Sequence, residues 1–409
     1  MRVDLLTREY PPNIYGGAGV HVNELARVLR KLVDVRVHAF DGPREPGGPG
    51  GEEGVTGYDY LPGLDGANAS LRTFGVDLQM AQGIEGTDIV HSHTWYANLG
   101  GHLGSLLHEV PHVISAHSLE PLRPWKREQL GGGYNLSSWA EKTAYEGAAG
   151  IVAVSNGMRD DILRSYPSVD PDRVHVIHNG IDLTDWAKPK TDEEKEAAAQ
   201  TLKKFGIDPD VPTVVFVGRI TRQKGLPHLL RALRDIPKDS QIVLVAGAPD
   251  TEEIKNEVQG LVDELRSERD QVHFITDMLP REQLVAILDA ATVFVTPSIY
   301  EPLGIVNLEA MAVDLPVVGT ATGGIPDVIV DGETGFLVPI EQKTDGTGTP
   351  LNPDKFHADM AERLTKLLEN PELAAKMGKA GRKRVEDQFA WTTVGERTVK
   401  LYEHILKNG

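Results

Sequence analysis

The sequence predicts an α/β protein of two lobes, each built on a parallel sheet that helices cover on both faces. Short apolar runs rich in β-branched residues alternate with segments of helical periodicity. The runs form two series of six: Val3 to Leu6, Val35 to Phe40, Ile89 to Ser92, Val113 to Ala116, Ile151 to Val154 and Val174 to Ile177, then Thr213 to Val217, Ile242 to Ala246, Val272 to Ile275, Val293 to Thr296, Pro316 to Gly319 and Phe336 to Val338. The length of 409 residues agrees, since it accommodates two to three domains of about 150 residues.

A glycine loop joins the first run to the first helical segment, as a βαβ unit requires. Gly16, Gly17 and Gly19 leave backbone amides bare at a helix start, where they can bind a phosphate. Val22 stands where a dinucleotide fingerprint would have its third glycine, so that fingerprint is absent. A phosphate site and a purely structural turn therefore both remain open for this loop.

The predicted domain boundaries are 1–185 for the first lobe, 186–389 for the second and 390–409 for a final helix. We expect a surface helix to link the lobes within 185–211, because Thr191 and Glu194 have capping-box spacing. The final helix presents an apolar stripe long enough to pack on a sheet, consisting of Trp391, Val394, Thr398, Leu401, Tyr402 and Ile405.

Composition excludes several classes of function. Lys plus Arg number 42 and Asp plus Glu number 60, a formal charge of −18, which argues against a nucleic-acid or membrane-surface binder. The absence of Cys removes disulfides, thiol nucleophiles and Cys-type zinc sites. The charged segment Met1 to Tyr10 lacks the apolar core of a signal peptide, and no apolar run approaches the roughly 18 residues that span a bilayer. We therefore expect a cytoplasmic protein without a membrane partner.

A basic loop follows the first run of the second series. Arg219 and Lys224 lie in the segment from Gly218 to Gly225, which is predicted to stand at the carboxyl edge of the second sheet. Ligands of doubly wound sheets bind at that edge. Two cations there can hold a diphosphate despite the negative charge of the whole chain, since a close ion pair gains about 4 kcal/mol in a partly wet site.

The most specific segment is Thr296 to Met311, which reads as strand, turn and helix. Pro302 suits the first position of a helix, so the amides near Leu303 and Gly304 are predicted to point at an anion. If the run from Glu301 to Glu309 is mostly helical, its eight residues span roughly 12 Å. That length matches the span from a donor sugar to its ribose, so the two carboxylates can bind the two sugars with a diphosphate between them.

In this order, these motifs resemble the retaining glycosyltransferases of the glycogen synthase type, which have the GT-B fold. The resemblance rests on the glycine loop, on Ser115-Ala116-His117, on the basic loop and on the Glu301 to Glu309 segment, and it covers nearly the whole chain. It implies two Rossmann-like lobes facing a central cleft, an acceptor-side first lobe, a nucleotide-sugar-binding second lobe and a final helix that returns to the first lobe. It also implies front-face transfer of glucose with retention, with no metal and no cofactor.

The resemblance also implies roles for individual residues. The implied catalytic residues are His117, Glu301, Arg219 and Lys224, and the implied donor-binding residues are Gly16, Gly17, Gly19, Asn179, Arg219, Lys224, Leu303, Gly304 and Glu309. Arg219 and Lys224 would bind the donor diphosphate. Glu309 would bind the ribose and Glu301 the transferred glucose, with His117 and Asn179 beside that sugar.

Two patterns suggest a metal, and neither is adopted. Asp208 and Asp210 have the spacing of a metal-binding pair but fall in the predicted linker. His91 and His93 share one face of a strand and could ligate zinc, yet the sequence offers no third ligand at a supporting spacing.

The acceptor is left open by two departures from the family pattern. The first glycine loop lacks the lysine of many polymer-extending members, and His91-Ser92-His93-Thr94-Trp95 lacks their aspartate. The chain resembles a shorter actinobacterial branch, some of whose members make maltose 1-phosphate from ADP-glucose and glucose 1-phosphate. Three basic residues that follow His117 are therefore predicted to hold an acceptor phosphate: Arg123, Lys126 and Arg127.

Several alternatives remain at this stage. The acceptor is a glucan end, glucose 1-phosphate or another small molecule, and the donor is ADP-glucose or UDP-glucose. A GT-B nucleotide-sugar epimerase and a catalytically silent sugar-binding subunit are the rival classes. The oligomeric state is open, with a homodimer among the alternatives.

Overall fold

Two parallel sheets organise the chain in the computed structural model, which describes residues 1–14, 16–48, 50–122, 131–343 and 347–408. Each sheet belongs to its own unit. Unit 1 consists of Met1–Gly180 and Trp391–Gly409, and unit 2 consists of Ile181–Ala390. The divisions thus fall after residues 180 and 390, where the sequence placed them after 185 and 389.

In the first part of unit 1, strands and helices alternate. Its elements are β1 (Arg2–Thr7), α1 (Gly17–Leu29), β2 (Asp34–Ala39), β3 (Val55–Gly57), α2 (Ala69–Gly83), β4 (Ile89–His93), α3 (Trp95–His108), β5 (His112–Ala116), α4 (Gly133–Gly147), β6 (Gly150–Ala153), α5 (Asn156–Ser165) and β7 (Val174–Val176). Short 3₁₀ turns lie at Pro62–Leu64, Glu120–Leu122 and Pro171–Arg173.

The sheet of unit 1 has the order β3-β2-β1-β4-β5-β6-β7, and its paired strands are parallel. All six runs predicted for this half form strands, which confirms that part of the prediction. Strand β3 was missed, because a three-residue edge strand carries too little apolar pattern to stand out. The order reverses between β1 and β4, and this switch point is where a doubly wound sheet opens a ligand crevice at the carboxyl ends of its strands.

Unit 2 repeats the arrangement. Its elements are α6 (Asp192–Phe205), β8 (Thr213–Arg219), α7 (Leu226–Ala232), β9 (Gln241–Gly247), α8 (Glu252–Glu268), β10 (Val272–Ile275), α9 (Arg281–Asp289), β11 (Val293–Thr296), α10 (Ile305–Ala312), β12 (Val317–Thr320), α11 (Ile325–Val328), β13 (Gly335–Val338), α12 (Pro353–Leu368) and α13 (Pro371–Gln388). Its parallel sheet has the order β10-β9-β8-β11-β12-β13, so its switch point lies between β8 and β11.

The last helix, α14 (Trp391–Asn408), belongs to unit 1. The predicted stripe is its buried face, and Trp391, Tyr402 and Ile405 lie in the same core as Val3 and Leu25. Each large apolar side chain buried in this way contributes about 1.5–3 kcal/mol. The predicted fold class, two parallel α/β lobes with the final helix returning to the first, is confirmed.

Helix α6 lies in the segment where the sequence predicts a surface helix that links the lobes. Its capping box is present, since Thr191 Oγ1 accepts from the Glu194 amide at 3.2 Å and Glu194 Oε2 accepts from the Thr191 amide at 3.0 Å. The helix is nevertheless a part of unit 2, because Leu202 and Ile207 are buried and the helix packs against α9. Most of its first ten residues are exposed, as expected of a surface helix, and its buried end shows that it packs within unit 2.

Within the described ranges, every helix is too short or too polar to cross a lipid bilayer.

Candidate active site

Two loops meet at the switch point of unit 2. The loop after β8 and the loop after β11 are joined by a hydrogen bond from the Ile299 amide to the Gln223 carbonyl oxygen, at 2.9 Å. Gly225 has a φ of +67°, and a Cβ at that position would lie 1.9 Å from the Pro297 carbonyl oxygen. Only glycine fits such a close approach in the left-handed region. The basic loop and the Glu301 segment are therefore fixed against one another.

Lys224 and Glu301 form the central ion pair of this edge. Lys224 Nζ lies 2.6 Å from Glu301 Oε2, and the Ser298 hydroxyl donates to the same oxygen at 3.2 Å. The Glu301 side chain is 9% exposed and the Lys224 side chain 23% exposed, so the pair is largely shielded from water. Charge-assisted contacts of this kind are short and strong. The structure thus brings together two of the four predicted catalytic residues.

A third loop, after β12, holds the backbone of Glu301. The Gly324 amide donates to the Glu301 carbonyl oxygen at 2.8 Å. Gly323 has a φ of +54°, and a Cβ there would lie 2.0 Å from that oxygen. Sequence reasoning did not single out these glycines. The available signal was a Gly-Gly pair that begins four residues beyond a predicted strand end.

Helix α10 begins later than the sequence predicted. Its first residue is Ile305, and Gly304 precedes it with a φ of 88°. Pro302 is therefore outside the helix, and the prediction that it occupies the first helical position was wrong. The 12 Å estimate from Glu301 to Glu309 was wrong for the same reason, because only the second half of that segment is helical.

Asn307 is a polar residue of this region whose place at the site was not predicted from the sequence. It is fully buried, and its Oδ1 accepts a hydrogen bond from the Thr296 hydroxyl. Its Nδ2 has no hydrogen-bond partner in the described part of the chain, and a Cβ on Gly304 would lie 2.6 Å from that nitrogen. A buried amide donor therefore lies next to Gly304 at the start of α10.

Glu309 lies on α10 and is partly buried. Burial raises the pKa of its carboxyl group to about 7, and the nearby charges of Arg281 and Lys224 oppose that rise. Lys224 therefore acts electrostatically on both acids of the segment. Near neutral pH, Glu309 changes between an acceptor of hydrogen bonds and a neutral acid.

Arg219 does not join this group. It forms an ion pair with Asp250, in which the two side chains are 64% and 50% exposed. Exposed pairs of this kind contribute about 0–1 kcal/mol. Arg219 can therefore exchange Asp250 for a ligand anion at small cost.

In unit 1, the glycine loop contacts a carboxylate. Gly16 precedes α1, and its amide donates to Glu9 Oε2 at 2.7 Å. Gly19 is held small by the same residue, since a Cβ there would lie 2.7 Å from the Glu9 Cβ, whereas a Cβ on Gly17 would meet no atom within 4 Å. Glu9 was not singled out from the sequence. It lies two residues after β1, and its carboxylate occupies the anion position that the glycine loop was predicted to offer.

Three histidines of unit 1 converge next to this loop. The rings of His21, His93 and His117 each offer a nitrogen within 4.8 Å of the others, and His93 Nδ1 lies 3.1 Å from His117 Nε2. Burial lowers the pKa of His117 to about 4, and it lowers the pKa values of His21 and His93 well below the usual range. All three are therefore neutral imidazoles at pH 7, which is the form that ligates zinc.

His91 has a different role from the one considered for it. It lies 2.5 Å from the Tyr402 hydroxyl through Nδ1 and 2.9 Å from the Ser115 hydroxyl through Nε2. The sequence considered His91 and His93 as a pair of ligands, whereas in the structure His93 is grouped with His21 and His117. Sequence spacing gave no sign of this, because the three residues come from α1, β4 and the end of β5.

Asn179 is buried in unit 1 close to His21, and it opposes the fall in the pKa of that histidine. His117 and Asn179 are thus both neighbours of His21. Arg123, Lys126 and Arg127 lie outside the described residues. Leu303 is buried beside Gly304 at the start of α10.

Comparison with known proteins covers both units. The family model described as Glycosyltransferase Family 4 matches residues 15–185, and the one described as Glycosyl transferases group 1 matches residues 198–384. Alpha-maltose-1-phosphate synthase of Mycolicibacterium smegmatis is 50% identical over 99% of this chain and 100% of its own length. D-inositol 3-phosphate glycosyltransferase of Corynebacterium aurimucosum is 30% identical over 98% of this chain and 86% of its own length. Among solved structures, sucrose-phosphate synthase of Thermosynechococcus elongatus superposes with a TM-score of 0.71 and 23% identity, covering both chains completely.

Proposed function

The chain belongs to the GT-B glycosyltransferases, in the group of the alpha-maltose-1-phosphate synthases, and on that basis we propose that it transfers glucose from ADP-glucose to glucose 1-phosphate. The product is maltose 1-phosphate, with an α-1,4 linkage and retained configuration. The observation that carries this proposal is the match to the mycobacterial synthases at 49–50% identity over 99% of the chain. ADP-glucose and retention follow from the resemblance to the actinobacterial branch.

The main catalytic task in this reaction is to stabilise the leaving group. The bond from the glucosyl C1 to the β-phosphate oxygen breaks, the acceptor 4-hydroxyl oxygen bonds to C1, and the hydroxyl proton passes to the departing diphosphate. Preorganised cations at the position where this negative charge develops lower the barrier. Lys224 is suited to the task because it is held by Glu301 at 2.6 Å on the edge of the unit 2 sheet. Arg219 adds a second cation after it leaves Asp250.

In this proposal the two acids bind different sugars of the donor. Glu301 accepts hydrogen bonds from hydroxyls of the transferred glucose, since its position is fixed by three loops. Glu309 accepts from the ribose hydroxyls in its ionised form. The amides at Leu303 and Gly304, together with Asn307, face the diphosphate at the start of α10.

Unit 1 contributes His117 beside the transferred sugar. His93 engages His117 Nε2 at 3.1 Å, so Nδ1 is the nitrogen left to contact a hydroxyl. With a pKa of about 4 the ring stays neutral during turnover, so it contributes a hydrogen bond without adding positive charge near the oxocarbenium-like carbon. We assign Asn179 to the same role, and its position next to His21 supports this.

Product analysis tests the proposal directly. ADP-glucose is offered in separate reactions to glucose 1-phosphate, to glycogen and to no acceptor, with UDP-glucose as the donor control. We expect maltose 1-phosphate as the dominant product, with an α-anomeric signal for the new linkage in the proton NMR spectrum. Elongated glycogen alone would make the chain a conventional glucan synthase, and conversion of the donor without acceptor would make it an epimerase.

A further inference from the structure

A pocket in unit 1 stands at the switch point between β1 and β4. It has a volume of about 120 Å³, and its main side chains are Arg8, Tyr60, Arg72, Thr73, Trp95 and Tyr96. Arg8 follows β1 directly, and Trp95 and Tyr96 open α3 immediately beyond β4. This is the crevice in which a doubly wound sheet binds its ligand. None of the residues assigned above to the donor lies in this pocket, which we call the arginine pocket.

The two arginines of the pocket contact aromatic side chains, and neither forms an ion pair with a described residue. The Arg8 guanidinium donates to the Tyr60 hydroxyl at 3.2 Å and lies 4.6 Å from the centre of the Tyr96 ring. The Arg72 guanidinium lies 4.1 Å from the centre of the Tyr60 ring. The charge of Asp41 acts on Arg8 only weakly, as the last of the influences on its pKa. Two cations that lie against aromatic rings, with no carboxylate of the described residues in direct contact, form a site for an anion.

Buried donors inside the pocket point to the same ligand. The Arg72 Nε and the Trp95 indole nitrogen are both buried and have no hydrogen-bond partner within the described ranges. Trp95 as a whole is only 4% exposed, so its N–H cannot be satisfied by bulk water. Buried donors are normally paired, and each exception calls for an unseen partner. A phosphate oxygen would supply that partner.

Helix geometry adds a further positive contribution. Helix α2 starts at Ala69 and α3 starts at Trp95, and the first residues of both helices line the pocket. The start of α2 is fixed by Asn68, whose Oδ1 accepts from the Ser70 amide at 2.9 Å. Two helix N-termini and two arginines thus converge on one volume, and helix N-termini attract anions.

We propose that the arginine pocket binds a phosphomonoester, namely the phosphate of the acceptor sugar. This rests on the proposed function for the identity of the acceptor. The pocket is smaller than the roughly 300–1,000 Å³ of sites that enclose whole ligands, so it admits the phosphate and leaves the sugar outside. Arginine forks match phosphate oxygens in pairs, which gives selectivity for a phosphorylated acceptor over a neutral one. The specificity for the acceptor then lies in Arg8, directly after β1, and in Arg72, in the first turn of α2.

The test compares binding of glucose 1-phosphate with binding of glucose, by calorimetry and without donor. Loss of one charge-assisted contact weakens binding by about 10- to 100-fold. We expect Arg72→Gln and Arg8→Gln to raise the dissociation constant for glucose 1-phosphate by that factor and to leave ADP binding unchanged. Trp95→Phe keeps an aromatic ring, though a smaller one, and removes the N–H, so we expect a smaller loss of several-fold. Arg164→Gln is the matched control, because Arg164 is exposed and pairs with Asp161 on the surface of the same unit.

The outcomes separate this proposal from the proposed function. If both pocket variants bind glucose 1-phosphate like the unchanged protein, or if only the triple Gln variant of Arg123, Lys126 and Arg127 loses binding, the arginine pocket is not the phosphate site even when maltose 1-phosphate is formed. If the unchanged protein binds glucose 1-phosphate through Arg72 but forms no maltose 1-phosphate, the pocket stands and the proposed reaction fails. Arg72→Lys gives a second check on folding, since it keeps the charge and should recover part of the affinity.

Discussion

Replacing Lys224 by Met tests the ion pair at the edge of the unit 2 sheet. The substitution removes the ammonium that lies 2.6 Å from Glu301 and leaves a carboxylate with a 9% exposed side chain without its cation. Breaking a fully buried pair costs about 3–5 kcal/mol, and the partial exposure of Lys224 reduces the expected loss of stability to about 2–3 kcal/mol. If Lys224 also stabilises the departing diphosphate, turnover falls by about 100-fold or more, at 1.36 kcal/mol per decade.

Two measurements separate the structural effect from the chemical one. Urea unfolding gives the free energy of unfolding, and release of ADP from ADP-glucose in the presence of glucose 1-phosphate gives turnover. The double variant Lys224→Met with Glu301→Gln removes both charges, so we expect it to regain at least half of the lost stability. Its turnover should remain as low as that of Lys224→Met.

Lys255→Met is the matched control. Lys255 lies 3.2 Å from Glu252 in a surface pair of the same unit, with its own side chain 52% exposed. We expect a change of about 0.5 kcal/mol or less in stability and unchanged turnover. Turnover close to that of the unchanged protein in Lys224→Met would refute the assignment of Lys224 to the leaving group. A double variant no more stable than Lys224→Met would refute the pairing argument.

Three further outcomes follow from the geometry. Burial raises the pKa of Glu309 to about 7, from an ordinary value of 4.5, so its carboxylate becomes protonated as the pH drops from 8 to 6 and the affinity for the donor should fall. In calorimetry, Glu309→Gln should bind the donor more weakly at pH 8 and lose this dependence on pH. Gly225→Ala places a Cβ 1.9 Å from a carbonyl oxygen, whereas the Cβ of Gly332→Ala, also at positive φ, meets no atom within 4 Å. In thermal unfolding, we expect Gly332→Ala to lower the free energy of unfolding by about 1–2 kcal/mol and Gly225→Ala to lower it clearly more. Tyr402→Phe breaks a buried contact of 2.5 Å to His91, so urea unfolding should show a loss of about 1–3 kcal/mol, and an unchanged midpoint would contradict this pairing.

The sheets were predictable because the strands of a covered parallel sheet are apolar on both faces. Twelve such runs were visible, and the structure contains a strand at each of them. The thirteenth strand, Val55–Gly57, is short and only partly buried, so it has no such signature. The start of α10 was misplaced because Pro302 is a general mark of helix starts, whereas the actual cap depends on the left-handed conformation of Gly304.

The meeting of Lys224 and Glu301 was predictable because each lies in a segment with a recognisable local pattern. The two segments follow β8 and β11, which are adjacent strands of one sheet, so topology brings them together. Contacts that depend on three-dimensional approach left no spacing to detect. Glu9 against Gly16, His21 among the other histidines, and the two arginines of the unit 1 pocket are all of this kind.

The placement of α14 has a consequence for the order in which the chain can fold during synthesis. Unit 2 is continuous in sequence, and all of its residues have been made once Ala390 is added, whereas the core of unit 1 still lacks Trp391, Tyr402 and Ile405 at that point. The unit that is begun first is therefore the one completed last. Until the final helix arrives, the apolar face of α1 and the ring of His91 stay open to water, so a chain shortened by a single helix would leave unit 1 unfinished while unit 2 keeps its core.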